Sequence, residues 1–462
     1  MNADQHTDQL DRTLRDTLQA WAPDATGPAP AGLADRLVRR RRRRTALRVA
    51  GAALGLTAVA FGTVLVTDPG GGEPSPAHHV SREGKLRWQT TLPGKTTWDA
   101  CAMGPGAVYC RGAGYDGIGV DTRTGKVVWQ REAERKGDGG TPAGSVTGVR
   151  DGILYSYADH APGTSNPRTD LVAVDLDSHK VLWKQKLADD SRDADSAVLF
   201  DGGVLANTPT FKSAAALDPK TGRTLWTYKW KRADCSAVAI GGVPYLTCSP
   251  DSEKAPQRST VVRLDPRTGR PHTVATVAGM TYAIGRDGDT VLLARLAGKQ
   301  DHVGEPGPVD LIRVDTGTGK VTRHRADGPR GGVIADGVML TVRSDGTALA
   351  WSATNGKQLW ASPTGLRLRK DPTGPDTYEL ASPAAVNLPD RVAYFLDPTG
   401  NLVGLDLDNG TVRWRGKADL PEQPLLGGVF PQLMTEGRHG LIGQTGDALF
   451  RIDPKPTPRS GS

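Results

Sequence analysis

One short pattern recurs through most of this chain and limits the folds that it can adopt. Residues 216–226 read A-L-D-P-K-T-G-R-T-L-W: an apolar run, a five-residue turn, and a second short run that ends at Trp226. Gly222 supplies the positive φ that a tight turn needs, and Asp and Thr side chains can bond the turn's own backbone. The pattern therefore predicts a β-hairpin with a bulky residue near the end of its second strand.

The same pattern occurs eight times between residues 80 and 414. Its turn residues lie 37 to 54 residues apart, a spacing that suits one four-stranded blade per repeat. The eight copies are residues 84–88, 120–129, 174–183, 216–226, 264–273, 314–323, 351–360 and 405–414, with turn residues Asp121, Asp175, Asp218, Asp265, Asp315, Ser352 and Asp406.

A second series of turns alternates with the first and also numbers eight. Each member lies between short apolar runs, as at 151–152, and marks the first hairpin of a blade. The last of these hairpins, 433–443, is followed by only one strand, 449–453, so Leu86 to Thr90 must supply the missing fourth strand. We therefore predict an all-β fold, an eight-bladed β-propeller over residues 80–455 whose N-terminal strand closes the ring and removes the free sheet edges.

Six tryptophans occupy the same position on the second strand of the repeat, where each can wedge between adjacent blades and bury about 200 Å². We predict that they dock the blades, and a role in ligand binding is the weaker alternative because buried packing is the commoner use of such residues. Two repeats carry Thr273 and Arg323 there instead, and we expect those blades to dock less tightly. The six docking residues are Trp88, Trp129, Trp183, Trp226, Trp360 and Trp414.

The N-terminal region predicts a membrane anchor. Val49 to Thr67 is nineteen residues without a charge, and as a helix it would span about 28 Å, close to the thickness of a bilayer's hydrocarbon core. Six arginines, Arg39 to Arg44, precede it and Asp68 follows it, so the positive-inside rule places the N-terminus in the cytoplasm and the rest of the chain outside. A cleaved signal peptide is the alternative, but its small-residue site at 58–60 would fall in the middle of the apolar run.

These features divide the chain into five parts. We expect a basic cytoplasmic tail, mostly disordered or a short helix, then a transmembrane signal anchor, a Gly/Pro-rich linker, the propeller and a disordered C-terminus. Their bounds are 1–44, 45–67, 68–79, 80–455 and 456–462. The net charge is +7, but most of the excess lies in the first 48 residues. The nearly balanced remainder argues against nucleic-acid binding.

Four cysteines lie on the exterior side of this topology. Cys101 and Cys110 flank one first-hairpin turn, and Cys235 and Cys248 flank another. Of the three pairings that four cysteines allow, only Cys101–Cys110 and Cys235–Cys248 join strands that the repeat already makes neighbours. We predict these two disulfides, since an oxidising exterior permits them, and metal binding by four such separated cysteines is the poorer alternative.

The repeat A-x-D-x-x-T-G-x-x-x-W resembles the blade motif of the pyrroloquinoline-quinone-type (PQQ-like) β-propeller proteins, and the resemblance covers residues 80–455. That family includes quinoprotein alcohol dehydrogenases and an outer-membrane assembly lipoprotein that is a non-enzymatic scaffold. The dehydrogenases carry two adjacent cysteines and calcium ligands, whereas this chain has no Cys-Cys pair and its Asp175-Leu176-Asp177 lies on a repeat turn. A basic cytoplasmic head with one signal anchor is similar to membrane proteins of high-GC Gram-positive bacteria.

The resemblance implies the fold more strongly than any activity. We predict a monomeric, non-catalytic binding or scaffold module anchored in the cell membrane and displayed outside, with a protein or polymer partner and without catalytic residue, metal or cofactor. Two alternatives stay open: a PQQ-dependent dehydrogenase-like enzyme, and a receptor-like regulator that signals through the cytoplasmic tail. No complete P-loop, G-x-S-x-G or H-E-x-x-H motif supports another catalytic class.

Overall fold

Eight antiparallel sheets of four strands each contain all the strands of the described part of the chain. The predicted cytoplasmic tail, the anchor Val49 to Thr67 and the linker lie outside the described residues, and no helix within those residues is long and apolar enough to cross a membrane. The computed structural model describes residues 84–94, 96–112, 115–132, 146–160, 168–188, 197–210, 212–251, 257–296, 307–328, 332–343, 345–366, 384–418, 420, 431–437 and 440–458.

Each sheet is one blade, and its strands are numbered in chain order. The first strands are β2 (Thr96–Gly104), β6 (Val146–Arg150), β10 (Ala197–Phe200), β14 (Ala233–Ile240), β18 (Tyr282–Asp287), β22 (Val333–Ala335), β26 (Ala385–Asn387) and β30 (Gln432–Glu436). The second strands are β3 (Ala107–Gly112), β7 (Ile153–His160), β11 (Gly203–Ala206), β15 (Val243–Pro250), β19 (Thr290–Leu296), β23 (Val338–Val342), β27 (Val392–Leu396) and β31 (Gly440–Thr445).

The third and outer strands complete the blades. The third strands are β4 (Tyr115–Asp121), β8 (Arg168–Asp175), β12 (Ser213–Leu217), β16 (Arg258–Leu264), β20 (Gly307–Asp315), β24 (Thr347–Ser352), β28 (Asn401–Asp406) and β32 (Ala448–Pro454). The outer strands are β5 (Val127–Glu132), β9 (Val181–Lys186), β13 (Thr224–Lys229), β17 (Pro271–Ala278), β21 (Val321–Gly328), β25 (Gln358–Pro363), β29 (Val412–Lys417) and β1 (Gly84–Thr91). Blade 1 is β2–β5, the next six blades follow in order, and blade 8 is β30, β31, β32 and β1.

The amino-acid pattern of each strand follows its place in the blade. Middle strands such as β12 (S-A-A-A-L) and β27 (V-A-Y-F-L) are buried at every residue, because a sheet covers each of their two faces. Outer strands such as β13 (T-L-W-T-Y-K) bury little beyond their tryptophan, because one edge and one face meet solvent. Continuous apolar runs therefore mark the middle of a blade and mostly polar runs mark its rim.

The N-terminal strand closes the ring, as the count of hairpins predicts. β1 pairs antiparallel with β32, and the sheet order of blade 8 is β1-β32-β31-β30. The eight-bladed all-β propeller predicted from the sequence is therefore confirmed. Closure by strands from the two ends of the repeat region leaves no blade short of a strand.

Every junction between neighbouring blades has a hydrophobic cluster of its own, and there are eight such clusters among the described residues. The cluster at the closure joins Val108 and Ile118 of blade 1 to Ile442 and Leu449 of blade 8. The core is thus a series of separate interfaces between sheets, so the ring is held together by contacts between blades.

The topology gives the ring two different faces. On one face lie the turns that join first to second strands and third to outer strands, and most of these turns are short and follow the repeat. We call it the turn face. On the opposite face, the loop face, lie the connections from second to third strands and from each outer strand to the next blade. Because β1 begins and β32 ends on the turn face, both ends of the ring-forming chain lie there.

Candidate functional site

The docking tryptophans bond to the turn of the next blade. In four junctions the indole Nε1 donates to the backbone carbonyl of the residue that follows the turn Asp, or its equivalent, at 2.8 to 3.0 Å. These bonds run from Trp88 to Thr122 O, from Trp183 to Pro219 O, from Trp226 to Pro266 O, and from Trp360 to Leu407 O. All six predicted docking tryptophans are buried, with at most 9 % of their surface exposed. In these four junctions the repeat turn is therefore both a hairpin and a hydrogen-bond acceptor for the neighbouring blade.

The turn glycine makes room for that tryptophan. A Cβ on Gly222 would lie 2.6 Å from the Trp183 ring, and one on Gly410 would lie 2.6 Å from the Trp360 ring. Both glycines also have positive φ, so two separate requirements select glycine there. Blade 2 is the exception: His179 takes the position at φ 58° and its ring stacks on Trp129 with centroids 5.7 Å apart.

A β-bulge before each docking tryptophan aims it at the next blade. In blade 3, Leu217 pairs with Thr224 and Ala216 pairs with Trp226, so Leu225 is the extra residue. Leu225 is 50 % exposed while Trp226 is buried. The same bulge leaves Val128, Leu182 and Leu359 exposed in blades 1, 2 and 6, whereas blades 7 and 8 carry Arg413 and Arg87 at this position.

The two blades without an outer-strand tryptophan fill their junctions differently. In blade 4 the bulge lies two residues farther on, so Ala275 is buried between blades and Thr273 is exposed. In blade 5, Arg323 is exposed, and the junction with blade 6 is filled by Trp351, which comes from the third strand of blade 6. The residues that fill these two junctions are therefore not the ones at the tryptophan position of the repeat. A residue's position along the repeat does not by itself decide whether its side chain faces the junction.

Carboxylates of the repeat turns are held in the ionised form. Asp218 accepts hydrogen bonds from Thr221 N at 2.7 Å and from Thr221 Oγ1 at 2.8 Å. Hydrogen bonds from the Thr or Ser three residues later are the main cause that lowers the pKa of Asp121, Asp175, Asp218, Asp265 and Asp315 below 3.8. The depressed pKa values reflect turn geometry repeated five times and do not mark a catalytic acid.

Both predicted disulfides are present. Cys101–Cys110 joins β2 to β3, and Cys235–Cys248 joins β14 to β15, with the two cysteines directly opposite in each pair. No free cysteine is found among the described residues. Within those residues, no group of three or more His, Cys, Asp or Glu side chains is arranged to hold a metal ion.

One repeat turn is split between the two ends of the ring-forming chain. Residues 453–455 read D-P-K and end blade 8, and Gly84 begins its outer strand. Together they match D-P-K-T-G of 218–222, except that Glu83 precedes the glycine in the sequence where the closed turn has Thr221. The strand register supports this match. Lys85 pairs with Asp453 in blade 8, and the equivalent Arg223 accepts a backbone hydrogen bond from Asp218 in blade 3. Sequence reasoning missed this turn, although the D-P-K at 453–455 was a visible signal.

We call the turn formed by residues 453–455 and Gly84 the split turn, and the continuous repeat turns the closed turns. The split turn has different hydrogen bonds from the closed turns. With no threonine three residues later, the Asp453 carboxylate accepts from Arg87 Nε at 2.5 Å and from Arg451 Nε at 3.1 Å. The following segment continues along blade 7, where Thr457 N donates to Arg413 O at 3.0 Å and Arg413 Nε donates to Thr457 O at 2.7 Å. Residues 456–458, expected from the sequence to begin a disordered C-terminus, thus lie against the outer strand of blade 7.

A groove of about 840 Å³ opens at the split turn, between blades 7 and 8. We call it the split-turn groove, and its volume falls in the range of ordinary ligand pockets. It is lined by Gly84, Lys85, Arg87, Asp390, Arg413, Asp453, Pro454, Lys455, Pro456 and Pro458. Four cations face two carboxylates in this lining, so its formal charge is positive.

Tyr394, on the second strand of blade 7, has a buried hydroxyl. Tyr394 is 1 % exposed, and its hydroxyl has no hydrogen-bond partner among the described residues. Burial raises the pKa of the Tyr394 hydroxyl, Asp390 raises that pKa further, and Arg413 lowers it. Two residues of the groove lining are therefore close enough to act on this hydroxyl electrostatically.

The junction between blades 3 and 4 has an equivalent groove of about 650 Å³. There the turn is closed, and Pro266 and Arg267 stand where the split turn has Pro454 and Lys455. Its bulge residue is the apolar Leu225, the counterpart of Arg413. The repeat thus places a depression at this position, and ring closure makes the one between blades 7 and 8 larger and cationic.

Comparisons with known proteins agree with the repeat and the fold. A sequence profile described as "Outer membrane protein assembly factor BamB" matches residues 115–362 and, in an overlapping match, 257–424, which together cover more than half of the chain. No curated protein sequence matches significantly. The crystal structure of BamB from Moraxella catarrhalis has a TM-score of 0.50 at 15 % identity and covers 80 % of this chain and 100 % of that one.

A computationally designed protein, Ika8, has a TM-score of 0.49 at 13 % identity, over 79 % of this chain and 98 % of that one. At identities this low, likeness between structures concerns the fold alone. The residues that distinguish this chain, at the split turn, have to be judged by their own chemistry.

Proposed function

This chain belongs to the PQQ-like β-propeller family described as outer membrane protein assembly factor BamB, and from that premise we propose that it is a non-catalytic scaffold that binds a protein partner. The family description names an assembly factor. The observation that carries the proposal is the split-turn groove, which is larger and more cationic than the equivalent groove between blades 3 and 4. The most repeated residues are used in docking blades to one another, so a binding site belongs where the repeat is broken.

The groove is suited to recognition rather than to catalysis. Arg87, Arg413 and Asp453 are bonded to one another's strands or to the backbone, so they form a fixed rim. Catalysis by general acid or base needs a titrating group with a suitable pKa within reach of substrate. Burial raises the pKa of the Tyr394 hydroxyl, on which Asp390 and Arg413 of the groove also act, so this hydroxyl stays protonated at neutral pH.

The proposal includes a position in the cell. A signal anchor at Val49 to Thr67 would leave sixteen residues, 68–83, between the membrane and the first strand. The linker would then enter the propeller at Gly84, on the turn face and beside the groove. The propeller would be outside the membrane, which is compatible with its two disulfides.

Proximity labelling in the native cell tests the scaffold function. A peroxidase inserted in the connection 297–306 of the full-length chain would label proteins next to the propeller. The matched control carries the same peroxidase directly after residues 1–83, so it has the anchor without the propeller. We expect a reproducible set of proteins enriched over this control, and the scaffold function is wrong if none is enriched.

Two further measurements test the exterior placement and the non-catalytic role. Protease added to intact cells should degrade the propeller of the full-length chain and spare an N-terminal epitope, and protection of the propeller would contradict the exterior placement. Incubation with PQQ and calcium should give no dye reduction. Stoichiometric quinone binding with turnover would replace the scaffold function by a dehydrogenase.

A further inference from the structure

Nine large hydrophobic side chains are exposed among the described residues, and their distribution is uneven. Seven lie within the first three residues of an outer strand, where that strand leaves the turn face: Leu86, Val127, Val128, Leu182, Leu225, Val321 and Leu359. An eighth, Leu388, lies in a turn of the same face, and only Met280 lies in a described connection of the loop face. Apolar exposure that is concentrated on one side of a protein marks an interaction surface.

Five of these residues belong to four consecutive blades, and we call them the aliphatic arc. They are Leu86 of blade 8, Val127 and Val128 of blade 1, Leu182 of blade 2 and Leu225 of blade 3. They follow the rim from blade to blade at nearly the same position of the repeat. An extended peptide that joins a sheet edge contacts successive residues of one strand. A band across four blades is instead suited to a broad, flat surface.

Each blade of the aliphatic arc also exposes a cation beside its aliphatic residue. The cation follows the turn glycine, or His179 in blade 2, and its side chain lies at the start of the outer strand. The four cations are Lys85, Lys126, Lys180 and Arg223. Aliphatic side chains next to Lys and Arg are typical of surfaces that bind anionic lipid headgroups, because the apolar groups enter the headgroup region while the cations meet the phosphates.

The acids of these blades are placed differently. Asp151 and Asp201 lie in turns between first and second strands, away from the outer strands, and both are paired with Arg150. Turn carboxylates such as that of Asp218 accept hydrogen bonds within their own turns. Among the described residues that join third to outer strands in these four blades, Asp177 is the only exposed acid. The exposed charge beside the aliphatic arc is therefore mainly positive.

The sequence before the propeller indicates which surface lies near the arc. β1, which carries Lys85 and Leu86, follows the proposed anchor at Val49 to Thr67 after sixteen residues. Sixteen residues span at most about 55 Å even when fully extended. An anchored chain would thus keep blade 8 and its neighbours near the lipid, and at that effective concentration a weak affinity for the surface is enough.

We propose that the aliphatic arc binds the surface of an anionic membrane, with its aliphatic side chains in the headgroup region and its cations on lipid phosphates. The ring is then tilted, with blades 8, 1, 2 and 3 against the lipid and blade 6, on the opposite side of the ring, raised from it. This inference rests on the anchor included in the proposed function and adds an orientation to it.

Photo-cross-linking to lipid tests the orientation in the full-length chain, reconstituted in vesicles that contain phosphatidylglycerol. The photoreactive amino acid benzoylphenylalanine replaces Leu182 or Leu225, and mass spectrometry measures the lipid adducts. The matched control is Leu359 of blade 6, which has the same repeat position and is 47 % exposed, compared with 50 % for Leu225. We expect at least fivefold more adduct in the aliphatic arc than at Leu359. Equal adduct at Leu359, or none in the arc, overturns the inference.

Charge variants test the anionic lipid. With the cross-linker at Leu225, Lys126→Gln with Lys180→Gln should lower the lipid adduct about three- to tenfold, because each cation near an anionic surface contributes about fivefold in affinity. The matched control, Lys320→Gln with Lys357→Gln on blades 5 and 6, should leave the adduct unchanged. All four lysines are exposed, so Tm should stay the same in both proteins. An equal loss in the two proteins, or an undiminished adduct in vesicles of phosphatidylcholine alone, contradicts the proposal.

Recovery of the chain with the vesicles separates the two possible failures. If alkaline washing removes the full-length chain from the vesicles, the anchor is wrong and this inference is wrong with it. If the chain stays in the vesicles but the aliphatic arc forms no lipid adduct, the anchor stands and only the orientation is wrong. Adducts with proteins instead of lipids, when the same chains are cross-linked in native membranes, would assign the arc to a protein partner and overturn the inference.

Discussion

The side-chain amide of Gln432 hydrogen-bonds both backbone groups of Cys101. Its Oε1 accepts from Cys101 N at 3.0 Å and its Nε2 donates to Cys101 O at 2.9 Å. Gln432 lies on the first strand of blade 8 and Cys101 on the first strand of blade 1, so the amide spans the junction where the ring closes. A primary amide offers the same donor and acceptor as a backbone peptide group, and here it takes the place of a neighbouring strand.

We expect Gln432→Leu to lower the free energy of unfolding by about 1 to 3 kcal/mol, because it leaves two backbone groups of Cys101 without this partner. Urea denaturation followed by tryptophan fluorescence measures the change. The control is Gln185→Leu on outer strand β9, where the amide reaches only Lys186 O at 3.5 Å. If the two variants lose equal stability, the bridge between blades has no special role.

The docking role of the tryptophans predicts a large effect at one residue and a small effect at the residue before it. Trp226→Ala should cost about 3 to 5 kcal/mol, the usual range for a buried aromatic residue, and should lower Tm by several degrees. Leu225→Ala, at the exposed bulge position, should change stability by well under 1 kcal/mol. Calorimetry of both variants decides the matter, and a Trp226→Ala protein that melts within a degree of wild type would contradict blade docking.

The turn glycine should be intolerant of alanine for reasons of space as well as backbone conformation. Gly222→Ala adds a Cβ 2.6 Å from the Trp183 ring at φ 68°. Gly152→Ala is the matched control, since Gly152 has φ 75° and nothing within 4 Å of an added Cβ. Both should lose about 1 to 2 kcal/mol through the backbone, and only Gly222→Ala should lose more. Equal losses in thermal unfolding would mean that the ring moves aside freely.

Stability should fall in acid through the repeat turns. Their carboxyls have a folded-state pKa below the ordinary 3.8, so the ionised form favours folding. The contribution is present in full above that ordinary pKa and is lost as pH falls through the lower pKa of the folded state. We expect Tm to be level from pH 7 to about 5 and to fall increasingly below about 4. A protein with Asp218→Asn and Asp315→Asn should show a shallower fall, and an unchanged acid profile would show that other groups govern it.

Much of the fold could be predicted because the sequence repeats once per blade. Eight turns of each kind, with β-strand runs between them, require eight four-stranded blades, and the lone strand at 449–453 requires a partner from the other end. The side chains that fill each junction between blades could not be predicted, because they depend on the pairing register of the outer strand. Trp351 fills a junction from a third strand, and Ala275 replaces Thr273, because a bulge can move along a strand without changing the repeat's spacing.

The groove was harder to foresee than the blades. Its lining comes from residues more than 360 positions apart, as the pairing of Arg87 with Asp453 illustrates. No local motif can describe such a site, since its identity depends on the ring being closed. Only the D-P-K sequence at 453–455, set beside Gly84, indicates that a turn has been divided there.

Ring closure by β1 and β32 sets the order in which the protein can be completed. The strand that is synthesised first among the thirty-two pairs only with the one synthesised last. Until the ribosome has finished the propeller, β1 therefore carries an open edge, which is a hazard for mispairing. Lys85 and Arg87 put two positive charges on that unpaired strand, and charged residues are a common means of protecting an exposed strand edge from mispairing.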